Sequence, residues 1–205
     1  EELALLNEGH DYLSRVRFAL HTQTGREEDR LLFEHQQTLS IQWGFEDHGK
    51  LAVEQFMQAY FRNVQAVSHT TALLIDIFQK KLLHNDSSRA LIIDEDFELI
   101  DDRISARHEK VFSDKPSNLL RIFSVIGRDD RVKRIDPETT RLLRASAPVI
   151  DDEFKNDPIN RRAFLEIIAA PHNMTKQLRR MLRHGVLARY LPAFGAIVGQ
   201  MQFDM

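Results

Sequence analysis

The chain has 205 residues, enough for one domain or two small ones with an apolar core. Lys and Arg (28) nearly balance Asp and Glu (31), so the composition predicts neither a nucleic-acid-binding nor a membrane-binding surface. Cysteine is absent, which excludes disulfides and thiolate metal sites. No apolar run approaches the ~20 residues of a membrane span, and no secretory signal is recognisable, so we expect a cytoplasmic protein.

The first half of the chain has helical periodicity. Apolar spacing predicts a helix over residues 3–22, ended by Gly25, and a second helix over residues 27–39. After a glycine-containing loop, apolar residues recur at intervals of three and four over residues 50–83, without an internal proline or glycine. This pattern predicts one long helix that forms the spine of the fold. We expect four of its residues to be largely buried: Phe56, Tyr60, Val64 and Val67.

The middle of the chain changes character. Two short apolar runs, residues 90–93 and 97–100, flank the acidic triplet Asp94-Glu95-Asp96 and predict a β-hairpin. We therefore divide the chain into an N-terminal helical part (residues 1–87), a hairpin insertion (residues 88–114) and a C-terminal part of short helices (residues 115–205).

Capping residues mark the ends of several helices predicted in the C-terminal part. A helix is predicted over residues 117–126, and Asp136-Pro137 and Asp157-Pro158 each mark a further helix start. The helix that follows Asp157-Pro158 is expected to end near Ala170-Pro171. Gly185 closes a helix predicted over residues 175–184, and one or two short helices follow over residues 187–202. The predicted fold is mostly α, a helical bundle with one long spine helix and a small β-hairpin.

Two tracts near the ends of the chain are distinctive. The first comprises residues 15–21 (RVRFALH) and 25–36 (GREEDRLLFEHQ), and the second comprises residues 183–195 (RHGVLARYLPAFG) and 197–202 (IVGQMQ). In this order and at this separation they resemble the bacterial protein-PII uridylyltransferase/uridylyl-removing enzyme family. The resemblance covers nearly the whole chain.

The resemblance implies a parent enzyme with two activities in nitrogen regulation. Such an enzyme transfers a uridylyl group from UTP to the PII signal protein and removes it by hydrolysis, with glutamine as the signal and Mg²⁺ or Mn²⁺ as the cofactor. This chain then corresponds to the helical region between the nucleotidyltransferase and HD domains, cut before the second catalytic domain. It is expected to be inactive alone, with no complete active site and no cofactor of its own.

Two short motifs bear on the metal chemistry of that family. Uridylyl transfer there needs a Gly-Gly or Gly-Ser turn followed by an Asp-x-Asp pair that holds divalent metals. No such turn precedes Asp94-Glu95-Asp96, which we interpret as a polar hairpin turn. The HD phosphodiesterase site needs a further histidine before its His-Asp pair, and His10-Asp11 has none. We interpret His10-Asp11 as part of a helix surface.

Basic residues cluster near the first predicted interhelix turn. Paired guanidinium donors suit phosphate groups, so Arg15, Arg26 and Arg30 are candidate contacts for a triphosphate bound by the flanking nucleotidyltransferase domain. The same residues also suit a structural ion-pair network, in which at least one of these arginines pairs with a nearby carboxylate. The cluster also contains Arg17 and His21, and its counter-charges are Glu27, Glu28 and Asp29.

A second basic cluster lies before Gly185. Its four members share one helix face and are either solvated or dock to an acidic surface of the HD domain or of PII: Lys176, Arg179, Arg180 and Arg183. The apolar residues that follow are predicted to pack in the core or against another domain: Leu182, Val186, Leu187, Tyr190, Leu191 and Phe194. The alternative for the whole chain is a non-enzymatic helical interaction module or a relative of the glutamine-synthetase adenylyltransferase.

Overall fold

Helices account for most of the chain in the computed structural model, which describes residues 2–83, 90–169 and 173–197. A small four-stranded sheet lies in the middle of the sequence. This arrangement confirms the predicted class, mostly α with a small β insertion. The chain divides into a first unit, residues 2–75 with 196 and 197, and a second unit drawn from Asp76–Gly195. None of the described helices has the length and apolar character needed to cross a lipid bilayer.

Three helices build the first unit: α1 (Glu2–Thr24), α2 (Phe33–Gln42) and α3 (Ala52–Leu83). Gly25 ends α1 as predicted, and its positive φ of 66° is a conformation that costs glycine little. The long helix α3 confirms the predicted spine, and its last residues, from Asp76 onward, belong to the second unit.

The predicted second helix begins too early. The chain is extended before α2, and Leu32 precedes the helix with φ −66° and ψ 160°. The Glu28 carboxylate turns inward and accepts a hydrogen bond from the backbone N–H of Arg30 (2.9 Å). This local bond favours a turn because it satisfies the Arg30 amide without helix formation. The side chain of Gln36, in α2, donates to the Leu31 carbonyl (2.8 Å) and holds the extended residues before the helix against it.

The core of the first unit is small. Phe56 is fully buried, as predicted for the spine helix, whereas Tyr60, Val64 and Val67 are only partly buried. The rings of Trp43 and Phe45 each meet Phe56 edge-on, at centroid distances of 5.7 and 6.1 Å. The buried apolar side chains of this core are Val16, Leu20, Leu39, Val53, Phe56 and Met57.

The sheet of the second unit contains the predicted hairpin and extends it. Its strands, in spatial order, are β1 (Leu91–Ile92), β2 (Phe97–Ile100), β3 (Arg103–Ala106) and β4 (Arg134–Ile135). Antiparallel pairing of β1 with β2 confirms the hairpin. Two further strands were not predicted: β3, which pairs with β2 antiparallel, and β4, which pairs with β3 in parallel.

Among the described residues, seven helices and a 3₁₀ turn follow the hairpin along the chain. They are α4 (Asn118–Arg128), α5 (Pro137–Ser146), a 3₁₀ turn (Ala147–Val149), α6 (Asp152–Asn156), α7 (Pro158–Ala169), α8 (Met174–Arg183), α9 (Val186–Tyr190) and α10 (Pro192–Ile197), whose last two residues belong to the first unit. The short 3₁₀ turn and α6 were not predicted. Residues 198–202, the end of the last predicted helical stretch, and the predicted helix end at residues 170–171 lie outside the described residues.

The predicted helix boundaries of the second unit are confirmed by their caps. The Asp136 carboxylate accepts a hydrogen bond from the Glu138 N–H (3.0 Å), and the Asp157 carboxylate accepts one from the Ile159 N–H (2.7 Å). Each carboxylate satisfies an amide that the first helical turn leaves unpaired. Gly185, with φ 76°, ends α8.

Candidate functional site

The basic residues near the end of α1 form an ion-pair network. Arg17 Nε donates to Asp29 Oδ1 (2.8 Å), and His21 Nε2 lies 3.3 Å from the same oxygen. The hydrogen bond from Arg17 is the main reason that the pKa of Asp29 is below its usual range. Because Arg17 and Asp29 are both largely exposed, water screens this pair and it contributes little to stability.

Glu28 is the centre of a second, tighter group. Its carboxylate is buried, and Arg26 Nη2 lies 3.0 Å from Oε2 while Arg30 Nε lies 3.5 Å from Oε1. The backbone N–H of Arg30 is the largest influence that lowers the pKa of Glu28. The expected pairing of a cluster arginine with a nearby carboxylate is therefore confirmed. Both guanidinium groups stay exposed, at 72% for Arg26 and 80% for Arg30.

Arg15 has a different environment. Its guanidinium lies over the ring of Trp43, 5.4 Å from the centroid, which is a cation–π contact. Arg15 and Trp43 line an open surface cavity of about 340 Å³ together with Ser14 and Phe18. Arg26 and Arg30 thus meet at Glu28, whereas Arg15 pairs with an aromatic ring. The contact with Trp43 was not predicted, and the one sequence feature that marks Trp43 is that it is the only tryptophan of the chain.

The basic face of α8 is largely solvent-facing. Lys176, Arg179 and Arg183 are exposed, whereas Arg180 is half-buried and its Nη2 donates to the Lys133 carbonyl (2.5 Å). Burial lowers the pKa of Arg180 because desolvation disfavours its charged form.

The apolar residues after α8 divide between core and surface. Val186, Leu187 and Tyr190 are buried in the core as predicted, and Leu182 and Leu191 pack against it. Phe194 is 43% exposed.

The acidic triplet forms the hairpin turn that its sequence predicted. Asp94 Oδ1 accepts hydrogen bonds from the backbone N–H groups of Asp96 (2.8 Å) and Phe97 (2.9 Å). Asp94 Oδ2 accepts from Arg121 Nη2 (2.7 Å), and the same guanidinium lies 3.3 Å from the buried Asp96 carboxylate. Lys115 also contacts Asp96 (3.5 Å). The two carboxylates are thus held by protein donors and cations.

Comparison with known proteins gives the family. The family models described as "GlnD PII-uridylyltransferase" and "Uridylyltransferase GlnD third domain" match residues 1–75 and 97–190. The chain belongs to the GlnD uridylyltransferase family. The first match ends at Ile75, which is also where the N-terminal segment of the first structural unit of this GlnD chain ends.

Curated relatives of this GlnD chain share the name "Bifunctional uridylyltransferase/uridylyl-removing enzyme". The chain is 42% identical over 206 residues to the protein of Pseudomonas aeruginosa strain UCBPP-PA14. It is 41% identical over 205 residues to that of Pseudomonas syringae pv. syringae B728a, and 41% identical over 206 residues to that of Azotobacter vinelandii. Each alignment covers 100% of the chain but only 23% of the relative. No solved structure matches the chain.

The acidic triplet of this GlnD chain does not fit a metal-binding Asp-x-Asp pair. Its carboxylates already face Arg121 and Lys115, and Asp94 is occupied by two backbone amides. A divalent cation would have to displace these donors and lie beside two positive charges. The His10-Asp11 pair lies on the surface of α1, with Nδ1 and Oδ1 3.6 Å apart and both side chains 79% exposed. Among the described residues, no group of three His, Asp or Glu residues could hold a metal ion.

Proposed function

We propose that this chain is the central helical region of a bifunctional enzyme that acts on PII. The enzyme transfers a uridylyl group from UTP to PII, releases pyrophosphate, and removes the group by hydrolysis. The observation that carries the proposal is 41–42% identity over the whole chain to enzymes with these two named activities. The helical region lies between a nucleotidyltransferase domain and an HD domain, and the parent enzyme is cytoplasmic.

The helical region is inactive alone, and its role is to support the flanking catalytic domains. Asp94 and Asp96 stabilise a turn, and His10 and Asp11 lie on an exposed helix surface. We assign the Mg²⁺ or Mn²⁺ of the parent enzyme and its response to glutamine to other parts of that enzyme.

Two experiments test this proposal. The purified 205-residue chain, incubated with UTP, Mg²⁺ and PII, is expected to leave PII unmodified, whereas the complete enzyme modifies it. Modification by the chain alone, at a rate above that of a mock purification, contradicts the assignment of no activity. The complete reading frame is expected to encode a nucleotidyltransferase motif before this segment and an HD domain after it. If both are missing, the interaction-module alternative replaces the enzyme assignment.

We further propose that Arg15, Arg26 and Arg30 contact the triphosphate held by the flanking domain. The exposed guanidinium groups of Arg26 and Arg30 support this role, since their donors beyond Glu28 can reach phosphate oxygens. Charge placed beside UTP or the leaving pyrophosphate stabilises the transition state of transfer. Removal of the uridylyl group uses another site and does not need these arginines.

The test is Arg30→Ala in the complete enzyme. Uridylylation is expected to fall while uridylyl removal is unchanged. The melting temperature is expected to change little, because the Arg30 guanidinium is exposed and alanine keeps the backbone N–H that donates to the buried Glu28 carboxylate. Arg62→Ala, which removes another exposed arginine of the same unit, is the matched control and should leave both activities intact. Equal loss of both activities with a lower melting temperature would favour a purely structural network.

A further inference from the structure

A cavity of about 290 Å³ opens on the second unit, far along the sequence from the arginine cluster. It lies among the start of α4, the 3₁₀ turn and the first residues of α6 and α7. Its apolar wall includes Val149 and Ile159, which are 46% and 66% exposed, and the buried ring of Phe154. The volume is near the lower end of ligand pockets, about 300–1,000 Å³, so it suits one side chain better than a large molecule.

A buried amide in the wall of this cavity has an unused acceptor. Asn160 is only 3% exposed, and its Nδ2 donates to the Phe154 carbonyl (2.9 Å). This bond fixes the amide orientation. Asn160 Oδ1 is buried and has no hydrogen-bond partner among the described residues. A buried acceptor without a partner destabilises a protein, so a donor that enters the cavity and reaches this oxygen would relieve that cost.

Three carboxylates surround the same opening: Asp151, Glu153 and Asp157. Asp151 uses one oxygen to accept from the Phe154 N–H (2.9 Å), and Asp157 uses one to accept from the Ile159 N–H (2.7 Å). An ionised carboxylate has about four lone-pair positions, so both keep acceptor capacity, and Glu153 is exposed. The rim is therefore acidic and rich in acceptors.

The cations closest in sequence to this rim are engaged with other groups. Lys155 Nζ lies 2.7 Å from the Asp152 carboxylate, outside the cavity lining. Arg161 donates to Asn156 Oδ1 (2.5 Å) and to the Lys155 carbonyl (3.2 Å). Neither of these two cations therefore neutralises the rim, and no Lys or Arg is among the described residues that line the cavity.

We infer that this cavity binds an arginine side chain presented by an apolar segment of a partner protein. A guanidinium carries five donors and no acceptor, which complements the carboxylates and Asn160 Oδ1, and the Ser117 hydroxyl can also accept. The aliphatic part of the arginine packs on Phe154, and apolar neighbours of the arginine cover Val149 and Ile159. The site is independent of the proposed nucleotide contacts.

The experiment uses the 205-residue chain and the blocked peptide acetyl-Leu-Arg-Leu-amide, followed by amide proton–nitrogen correlation spectra. Saturable shifts are expected at residues that line the cavity, with a Kd on the order of 1 mM for so short a peptide. The matched peptide carries citrulline, which has nearly the shape of arginine without the charge, and it should not bind measurably. Equal binding of both peptides, shifts elsewhere only, or no saturable shifts would each overturn the inference.

Variants that remove one charge from the cavity rim give a second test of the inference. Glu153→Gln and Asp157→Asn each remove one rim charge, and asparagine can still cap α7, so we expect about fivefold weaker binding with an unchanged fold. Asp130→Asn is the matched control, because it removes the same charge from an exposed residue of this unit outside the cavity lining and should leave binding unchanged. Equal weakening by Asp130→Asn would show a general electrostatic attraction instead of a site, and would overturn the inference. If Asp157→Asn unfolds, the exposed Glu153 still carries the test.

Discussion

In the part of the chain that the structure describes, the first unit has six buried apolar side chains in its core, and the second unit has twenty-one. The first relies on Phe56 and the rings of Trp43 and Phe45, whereas the second packs helices against a sheet. Large apolar side chains remain exposed on the first unit, among them Phe18 (74%) and Ile41 (72%). A unit with few helices and no sheet has less surface to bury, so each core residue contributes a larger share of its stability.

The ion pairs of the two units also differ in how deeply they are buried. In the first unit, Arg17 and Asp29 are both exposed, and Arg26 and Arg30 stay exposed where they meet the buried Glu28. In the second unit, Arg103 makes two hydrogen bonds to Asp76 (2.5 and 2.7 Å), and the buried Asp136 accepts from Lys80 (2.5 Å). Surface pairs contribute little, but the loss of one partner from a buried pair is costly, because the other charge stays buried without compensation. The two units therefore depend on different kinds of contact.

The largest expected loss of stability follows removal of a buried aromatic side chain from the core of either unit. Phe56→Ala should lower the free energy of unfolding of the first unit by ~3–5 kcal/mol, since the side chain is fully buried. Phe123→Ala is the matched change in the second unit. Hydrogen exchange should show faster amide exchange confined to the unit that carries each substitution.

The exposed Phe18→Ala controls for the loss of a ring without the loss of core packing, and it should cost less than ~0.5 kcal/mol. A cost of Phe56→Ala below ~1 kcal/mol would contradict the role of Phe56 as the centre of the first core.

The second-largest expected effect is the loss of a buried ion pair in the second unit. Asp76→Ala should destabilise the second unit by ~3 kcal/mol, because Arg103 is buried and would lose the carboxylate that raises its pKa. Chemical denaturation of the variant measures this cost. Asp130→Ala, which removes an exposed carboxylate from the same unit, should stay within ~0.5 kcal/mol of the parent. Similar losses of stability for Asp76→Ala and Asp130→Ala would mean that the change in net charge, and not the buried ion pair, causes the destabilisation.

A smaller effect tests the close approach of α1 and α3. A Cβ at Gly9 would lie 2.2 Å from Val67 Cγ2, so Gly9→Ala should destabilise the first unit by ~1–3 kcal/mol. In the Gly9→Ala/Val67→Ala double variant the clash is removed, and the alanine at position 9 favours the helix by ~1 kcal/mol over glycine. Thermal denaturation should show partial recovery relative to the Gly9→Ala variant. Strictly additive losses would rule out a steric origin.

The smallest effect is a dependence on alkaline pH in the first unit. Burial raises the pKa of Tyr12 to about 12, and its hydroxyl is buried without a hydrogen-bond partner among the described residues. The unfolded chain releases this proton near pH 10, so the stabilising contribution is complete below about pH 10 and is lost as pH rises through 12. Tyr12→Phe should therefore flatten the fall in stability between about pH 10 and 12. An unchanged slope would show that other groups cause the fall.

Local sequence signals determined most of the helices and part of the candidate site. Asp136-Pro137, Asp157-Pro158 and Gly185 define helix ends through bonds or angles within a few residues. The uninterrupted periodicity of α3 defined the spine for the same reason. Arg26 and Arg30 pair with Glu28 because each lies two residues from it, so the predicted ion pairing could be recognised from spacing alone.

Tertiary structure decided what depends on residues distant in sequence. The parallel pairing of β3 with β4 joins Arg103 to Arg134, and no local period marks a strand of two residues. The inward turn of Glu28 delayed the start of α2, although residues 27–32 contain no glycine or proline. The contact of Arg15 with Trp43 and the cavity beside Asn160 likewise depend on packing. Short-range periodicity determines which residues form helices, but burial and long-range pairing determine which side chains meet.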